Sequence, residues 1–193
     1  MVGSTLMIKL FWMFRAIIYK LFMNKFGFLS YIGSPCYVAG LRLWQFGNRV
    51  RIYPQARIES LGGVIRIGND VSIGQSLHII SKLSVCIGDK TTISANVFIS
   101  DVDHDYEVID VHIMDQALIS KKTVIGENCF IGYGCVILPG TILGKQCIVG
   151  ANSVVKGVFP DHCVIAGSPA KIIKRYDVTD CIWKKTDTSG NFI

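Results

Sequence analysis

Aliphatic side chains recur every six residues through the C-terminal half of the chain. The longest unbroken run contains Ile125, Ile131, Ile137, Leu143, Val149 and Val155. This spacing matches neither the 3.6-residue period of an α-helix nor the simple alternation of a strand, so an ordinary β-sandwich is disfavoured. A sustained hexad is typical of a parallel β-helix, in which each hexad forms one flat side of a coil. The pattern therefore predicts an all-β solenoid of short parallel strands.

The residues between these aliphatics have fixed roles in such a coil. A small residue follows each aliphatic by four positions and is predicted to fill a second inward slot: Cys129, Cys135, Thr141, Cys147 and Ser153. Glycine directly follows four of the aliphatics: Gly126, Gly132, Gly144 and Gly150. We expect these glycines to supply the unusual backbone angles of tight corners. Asn128 and Asn152 are expected at corners with left-handed geometry.

The same rhythm is present upstream and then stops. It is carried by three sets: Phe46, Ile52 and Ile58; Ile67, Ile73 and Ile79; Ile87, Ile93 and Ile99. The third set is offset from the second by two residues, which predicts a longer side or a small bulge. The repeat breaks off near Ser100 and resumes near Ile119. Long loops inserted in a regular scaffold are commonly functional, so residues 100–119 are the predicted active-site loop.

The amino-terminal residues 6–29 are apolar and aromatic but carry Lys9, Arg15, Lys20 and Lys25. The central charges disfavour a membrane-spanning helix, and no signal-peptide pattern is present. The first interpretation is a helix packed on the end of the β-helix or between subunits. The second is a basic helix lying on the inner face of a membrane, and a true span is the third.

We expect a single folded domain in this chain of 193 residues. The expected organisation is a helical segment at 1–30, a β-helix at 31–175 and an irregular tail at 176–193. The seven cysteines are odd in number and lack metal-type spacing, which indicates reduced core thiols in a cytoplasmic protein without a metal site. The net charge of +6 comes without any nucleic-acid-binding motif. An anionic cofactor or a membrane surface explains the lysines better.

Acidic and histidine side chains are concentrated in the interrupting loop, where His104 is the candidate general base. A neutral imidazole can take a proton from a hydroxyl near pH 7. Asp101 and Asp103 are candidates for orienting His104 or for binding substrate, and His78 is a candidate substrate contact. The alternative is that His104 is only a polar loop residue. His112 and His162 are interpreted as structural or loop residues.

These features resemble the hexapeptide-repeat acyltransferases, which have a left-handed parallel β-helix. The branch concerned includes galactoside and maltose acetyltransferases and bacterial polysaccharide O-acetyltransferases. The resemblance spans residues 46–175, and the ending AGSPAKIIKR at 166–175 closely matches the family's terminal motif. Asn96-Val97-Phe98-Ile99 precedes His104 at the spacing of the family's catalytic histidine. Sugar acetyltransferases often carry His-Pro or His-x-His at this step, whereas this chain has His104-Asp105-Tyr106.

The resemblance implies a homotrimer that binds acetyl-CoA between neighbouring β-helices. By position, Gly132 and Tyr133 border the pantetheine groove and Ala151 offers a backbone contact. Three lysines correspond to positions near the nucleotide phosphates: Lys156, Lys171 and Lys174. The implied reaction is direct attack of a sugar hydroxyl on the thioester, with His104 as base.

The favoured acceptor is a lipid-linked surface polysaccharide such as an O-antigen or capsule, made at the inner membrane face. A small soluble sugar or an antibiotic is the alternative acceptor. A non-catalytic trimeric scaffold and a γ-class carbonic anhydrase are alternatives from other classes. The histidine spacing does not resemble that of the carbonic anhydrases.

Overall fold

A computed structural model describes residues 2–187 and 190–193. The chain begins with a helix, Val2–Lys20, and continues as a three-sided parallel β-helix. The first side contains the strands Lys25–Phe26, Trp44–Phe46, Val64–Ile67, Ser84–Ile87, Thr123–Ile125, Ile142–Leu143 and Val158–Phe159. The second side contains Tyr31–Ile32, Arg51–Ile52, Ser72–Ile73, Thr92–Ile93, Phe130–Ile131, Ile148–Val149 and Cys163–Gly167. The third side contains Tyr37–Ala39, Arg57–Ser60, His78–Ser81, Phe98–Ser100, Val136–Ile137 and Val154–Val155.

The hexad aliphatics stack directly on one another from coil to coil. Ile131 pairs with Val149 and Ile137 pairs with Val155 in parallel register. Successive side chains of a strand point to opposite faces, so every hexad aliphatic points into the solenoid. All six members of the long run are buried. The predicted all-β parallel β-helix with a helical amino-terminal segment is confirmed.

The small residues predicted for the second inward slot are all buried. The three cysteine thiols donate to corner carbonyls of the next coil, whereas the Ser153 hydroxyl donates to the Gly150 carbonyl of its own coil. For example, the Cys135 thiol donates to the Gly150 carbonyl at 3.0 Å, and the Cys147 thiol donates to the Pro160 carbonyl at 3.2 Å. Burial raises the pKa of the Cys135 thiol. These cysteines are unpaired, and they act as core residues that satisfy buried acceptors.

The four glycines that follow the hexad aliphatics were expected to supply unusual backbone angles at corners, and this physical reason was wrong. None of them has a left-handed backbone. A side chain at Gly126 would instead place its Cβ 2.3 Å from the Gly144 carbonyl oxygen of the next coil. At Gly126, Gly132 and Gly144, glycine is therefore required for close stacking of the coils. The left-handed angles belong to Asn128 and Asn152, as predicted, with φ of 54° and 56°.

The amino-terminal helix packs on the start of the solenoid. The Trp12 ring lies 5.6 Å from the Tyr31 ring and 6.0 Å from the Tyr53 ring. Arg15 donates to the Ser34 hydroxyl at 3.2 Å. The helical part is shorter than residues 1–30, because two solenoid strands are already formed before residue 33. No helix in the described part of the chain is long and apolar enough to cross a membrane.

The carboxyl-terminal tail is not irregular, contrary to the expectation. Strand Ala170–Asp177 turns back antiparallel to Cys163–Gly167, and Ile182–Lys185 adds a further antiparallel strand. The Tyr176 ring packs edge-on against the Trp183 ring at 5.7 Å. This antiparallel extension covers the last strand of the second side, where an open ladder would otherwise be exposed.

A matched pair of glycine substitutions tests the stacking argument. Gly126→Ala is expected to lower the free energy of unfolding by about 3 kcal/mol, because backbone of the next coil must move. Gly150→Ala is the control, since the nearest atom to its new Cβ is the Ala166 Cβ at 3.1 Å and the nearest backbone atom is 3.6 Å away. We expect it to cost less than about 1 kcal/mol. Denaturant unfolding measures both, and equal costs would contradict the argument.

Candidate active site

The break in the repeat folds into a β-hairpin that leaves the solenoid. Strand Val102–His104 runs antiparallel to Leu118–Ser120, with His104 opposite Leu118. A 3₁₀ turn, Ile113–Asp115, lies in the connection. The hairpin departs after the third-side strand Phe98–Ser100 and returns just before Thr123. It therefore projects from one corner of the solenoid, at the coil that also contains Phe98.

Asp101 anchors this hairpin and is not available to a sugar. Its side chain is fully buried. One carboxylate oxygen accepts from the Lys82 amide at 2.7 Å. The other accepts from the Ser81 hydroxyl at 2.9 Å, the Leu83 amide at 2.9 Å and the Ser84 amide. The substrate-binding role predicted for Asp101 is therefore wrong, because its acceptor capacity is used within the fold.

The anchor explains the two-residue offset in the upstream repeat. The corner at Lys82 and Leu83 is wide, and its backbone amides point at the carboxylate from the following coil. The Lys121 amide donates to the Asp101 carbonyl at 2.8 Å, which closes the base of the hairpin. Thr123 donates through its hydroxyl to the Ser100 carbonyl at 2.7 Å. The hairpin is thus fixed at its base by buried hydrogen bonds.

His104 lies at the end of the first hairpin strand and is half-buried. Its Nδ1 atom is buried and has no hydrogen-bond partner among the described residues. Asp103 is exposed, and its carboxylate accepts from the His104 amide at 2.9 Å. His112 is exposed and uses Nδ1 to accept from the Met114 amide at 3.2 Å, which caps the 3₁₀ turn. The two loop histidines thus differ in environment: His104 has a buried ring nitrogen without a partner among the described residues, whereas His112 caps the 3₁₀ turn.

His78 lies on the outer face of the third side, in line with residues of the coils above and below. Arg57, His78 and Phe98 are paired in parallel register on successive coils. The His78 ring contacts the Phe98 ring edge-on at 5.1 Å. Its Nε2 atom lies 3.5 Å from Glu59 Oε1, a long approach that leaves Nε2 without a close hydrogen bond. Burial and the nearby Arg57 guanidinium lower the pKa of His78, against the opposing effect of Glu59.

Sequence reasoning missed Arg57 and Glu59. Arg57 forms an ion pair with Glu59, whose side chain is only 11% exposed. This pairing holds the pKa of the Glu59 carboxyl below its usual value. A signal was present in the repeat, because Arg57, His78 and Phe98 each directly precede an inward isoleucine. Reading the hexads for their outward neighbours would have aligned the three residues.

The candidate coenzyme residues divide between two corners of the solenoid. Gly132 and Ala151 stack at the corner between the second and third sides. The Ala151 amide has no acceptor among the described residues, and a side chain at Gly132 would come within 2.6 Å of that nitrogen. Tyr133 is exposed beside them, and its hydroxyl accepts from the Asn96 amide group at 2.5 Å.

The three candidate lysines do not form one cluster within a single chain. All three are exposed. Lys171 pairs with Ala166 and so lies close to the corner of Ala151. Lys174 lies further along the same strand, opposite Lys185. Lys156 follows the strand Val154–Val155 and lies at the other end of the third side.

Comparisons with known proteins identify the family. The family model for bacterial transferase hexapeptide repeats matches residues 122–157, and that for the hexapeptide repeat of succinyl-transferase matches residues 64–101. A protein of Escherichia coli K12 named as a lipopolysaccharide biosynthesis O-acetyl transferase, WbbJ, is 38% identical over 162 residues. That match covers 80% of this chain and 83% of the relative. The chain belongs to the hexapeptide-repeat acetyltransferases.

Solved structures agree with this membership at the level of the fold. The N-acyltransferase AntD from Bacillus cereus, in complex with dTDP and 3-hydroxybutyryl-CoA, superposes with a TM-score of 0.73 at 20% identity. The match covers 86% of this chain and 90% of AntD. A galactoside acetyltransferase in complex with coenzyme A superposes with a TM-score of 0.59 at 22% identity, covering 93% and 76% of the two chains.

The Asp101 anchor of this acetyltransferase yields a stability prediction. Asp101→Asn is expected to lower the free energy of unfolding by about 1–3 kcal/mol, because an amide group cannot accept from all four donors. Asp103→Asn is the matched control at an exposed position and is expected to change stability by less than about 0.5 kcal/mol. Thermal unfolding compares them. Equal stability of both variants would show that the buried carboxylate does not anchor the hairpin.

Proposed function

We propose that this acetyltransferase moves the acetyl group of acetyl-CoA to a hydroxyl of a surface polysaccharide, such as a lipid-linked O-antigen or capsule precursor. Family membership supports acetyl transfer. The relative from Escherichia coli is named for lipopolysaccharide biosynthesis, which supports a surface saccharide as acceptor. The observation that carries the proposal is the break at residues 101–121 of the described solenoid, because it presents a half-buried histidine on an anchored hairpin.

His104 acts as the general base in this proposal. It takes the proton of the acceptor hydroxyl while the oxygen attacks the thioester carbonyl carbon. The tetrahedral oxyanion accepts a hydrogen bond from a backbone N–H in the groove. When the C–S bond breaks, the imidazolium gives its proton to the departing thiolate. Acetyl ester and free coenzyme A thiol are the products, and His104 is neutral again.

The surroundings of His104 suit this role. The anchored base of the hairpin restricts the histidine to a narrow range of positions, which favours catalysis by orientation. Its buried Nδ1 has no partner within the described residues. A substrate group or a neighbouring subunit is therefore expected to complete that hydrogen bond, because a buried polar atom without one is costly.

The acetyl-CoA site is proposed at the corner of Gly132 and Ala151. Glycine at 132 leaves the Ala151 amide uncovered, and this N–H can donate to an amide carbonyl of the pantetheine arm. Tyr133 borders the same groove, and Lys171 and Lys174 offer cationic groups to the nucleotide phosphates. Lys156 lies at the opposite corner. In a homotrimer, one chain supplies the corner of Ala151 and its neighbour supplies the corner of Lys156, so that both corners face the same bound coenzyme.

Peripheral contact with the inner face of the cytoplasmic membrane is part of the proposal. The helix Val2–Lys20 packs on the solenoid through one face and exposes apolar side chains on the other: Met7, Leu10, Phe11, Phe14 and Ile17. No Asp or Glu precedes Glu59, whereas eight Lys and Arg residues do. Two of these, Arg49 and Arg57, pair with Asp70 and Glu59. The positive charge of Lys9, Arg15, Lys20 and Lys25 remains beside the exposed apolar face, and this combination suits an anionic bilayer surface.

The catalytic assignment is tested by replacing each of the two loop histidines with alanine in a separate variant. His104→Ala is expected to reduce acetyl transfer by about 100-fold or more, because the base is removed. His112→Ala is the matched control, since this histidine only caps the 3₁₀ turn. Transfer from acetyl-CoA to extracted polysaccharide is measured by mass spectrometry. Near-normal transfer by folded His104→Ala would remove His104 from this role.

The membrane contact is tested by vesicle sedimentation. The wild-type protein is expected to sediment with vesicles of phosphatidylglycerol and phosphatidylcholine, and much less with phosphatidylcholine alone. Phe11→Ser combined with Phe14→Ser should lose most of this binding, because the apolar face is interrupted. Val178→Ser, another exposed apolar position, is the control. Equal recovery of all forms in the supernatant would refute the contact.

A further inference from the structure

We propose that Arg57, Glu59 and His78 form the subsite that binds the acceptor saccharide, with the rings of Tyr37 and Phe98 at its two ends. The inference rests on the proposed function and adds the place and chemistry of acceptor recognition. The ligand class is an uncharged sugar ring recognised through its hydroxyl groups.

These side chains form one outward row on the third side of the solenoid. Tyr37, Arg57, His78 and Phe98 are paired in parallel register, one residue per coil. Neighbouring strands lie about 4.8 Å apart, so the row is roughly 14 Å long. Its last strand, Phe98–Ser100, continues directly into Asp101 and the hairpin that bears His104. The row therefore ends at the coil from which the proposed base projects.

Unused hydrogen-bonding groups are concentrated in this row. Arg57 donates through Nε to Glu59 Oε1, and its guanidinium carbon lies 5.2 Å from the centre of the Tyr37 ring. Its two terminal nitrogens have no acceptor among the described residues. The other Glu59 oxygen accepts from none of these residues, and the buried His78 Nε2 makes no contact there closer than its 3.5 Å approach to Glu59 Oε1. Donors and acceptors thus alternate over a short distance.

A purely structural role explains this arrangement poorly. Burying a carboxylate is costly unless its remaining lone pairs are satisfied, and an apolar pair of similar size would stabilise the coil at least as well. Glu59 is 8% exposed, yet within the described part of the chain its carboxylate makes only the contact with Arg57 and the long approach to His78. The unmet hydrogen-bonding capacity is what a bound ligand would supply.

The charge of the row indicates the kind of sugar. Arg57 and Glu59 neutralise each other. Burial and the neighbouring Arg57 keep the pKa of His78 below its ordinary value, which favours the neutral imidazole. A site without net charge has no excess attraction for phosphate or carboxylate groups. Its alternating donors and acceptors suit hydroxyl groups, and aromatic rings at both ends suit the apolar faces of a sugar ring.

The experiment compares glycoside binding by saturation-transfer NMR. The probes are methyl β-galactopyranoside, methyl α-glucopyranoside and, as an acidic sugar, N-acetylneuraminic acid. The wild-type protein is expected to bind a neutral glycoside, and Glu59→Gln to weaken that binding by about 10-fold or more. Asp70→Asn is the matched control, because it removes a comparable ion pair with Arg49 at an exposed site elsewhere. Tyr37→Leu, at a half-exposed ring, is a second test that keeps both members of the Arg57–Glu59 ion pair.

Kinetics separate acceptor binding from the rest of the reaction. Glu59→Gln and Tyr37→Leu are expected to raise KM for the acceptor while KM for acetyl-CoA stays unchanged. Unchanged glycoside binding in both variants, binding of the acidic sugar alone, or no binding of either neutral glycoside would overturn the subsite. Glycoside binding with no acetyl transfer to any saccharide would instead overturn the proposed function.

Discussion

The parallel hydrogen-bond ladder between successive coils is the constraint on which this structure depends. Each coil must lie in register on the one before it, because every strand donates to and accepts from its neighbours along the solenoid axis. Register fixes the inward columns of aliphatics that form the core. It also fixes outward columns, and so it brings together side chains that are about twenty residues apart in sequence, such as Arg57 and His78.

The ladder also limits where chemistry can be placed. Along a regular coil, outward side chains are short rows on flat faces, and no loop is long enough to enclose a substrate. The hairpin that begins at Val102 is the exception among the described coils. The hairpin is accompanied by a widened corner at Lys82 and Leu83. The Asp101 carboxylate accepts hydrogen bonds from the backbone amides of that corner, so they are not left unpaired. Glu59 and Asp101 are the two acidic side chains buried in the described residues. Asp101 lies at the base of the hairpin, and Glu59 lies on the same side of the solenoid two coils earlier.

The hexad spacing was sufficient to predict the solenoid, its core residues and the location of the break. It was not sufficient to explain the glycines, because a close approach such as that between Gly126 and Gly144 belongs to the stacking of coils and not to one coil's sequence. Asp101 was misjudged for the same reason, since its partners lie on the preceding coil. The antiparallel tail was missed because its alternation is weak, and its strands depend on pairing with Cys163–Gly167.

The central claim is that the solenoid is a scaffold and the hairpin carries the reaction. The Asp101 carbonyl and the Lys121 amide are hydrogen-bonded at 2.8 Å, so a two-residue Asn-Gly turn can replace residues 102–120 without opening the coil. Transfer from acetyl-CoA to extracted polysaccharide is then measured beside the unfolding transition of the shortened protein. We expect a cooperative transition close to that of the full chain and transfer reduced to background. Transfer near the wild-type rate in the shortened protein would contradict the account.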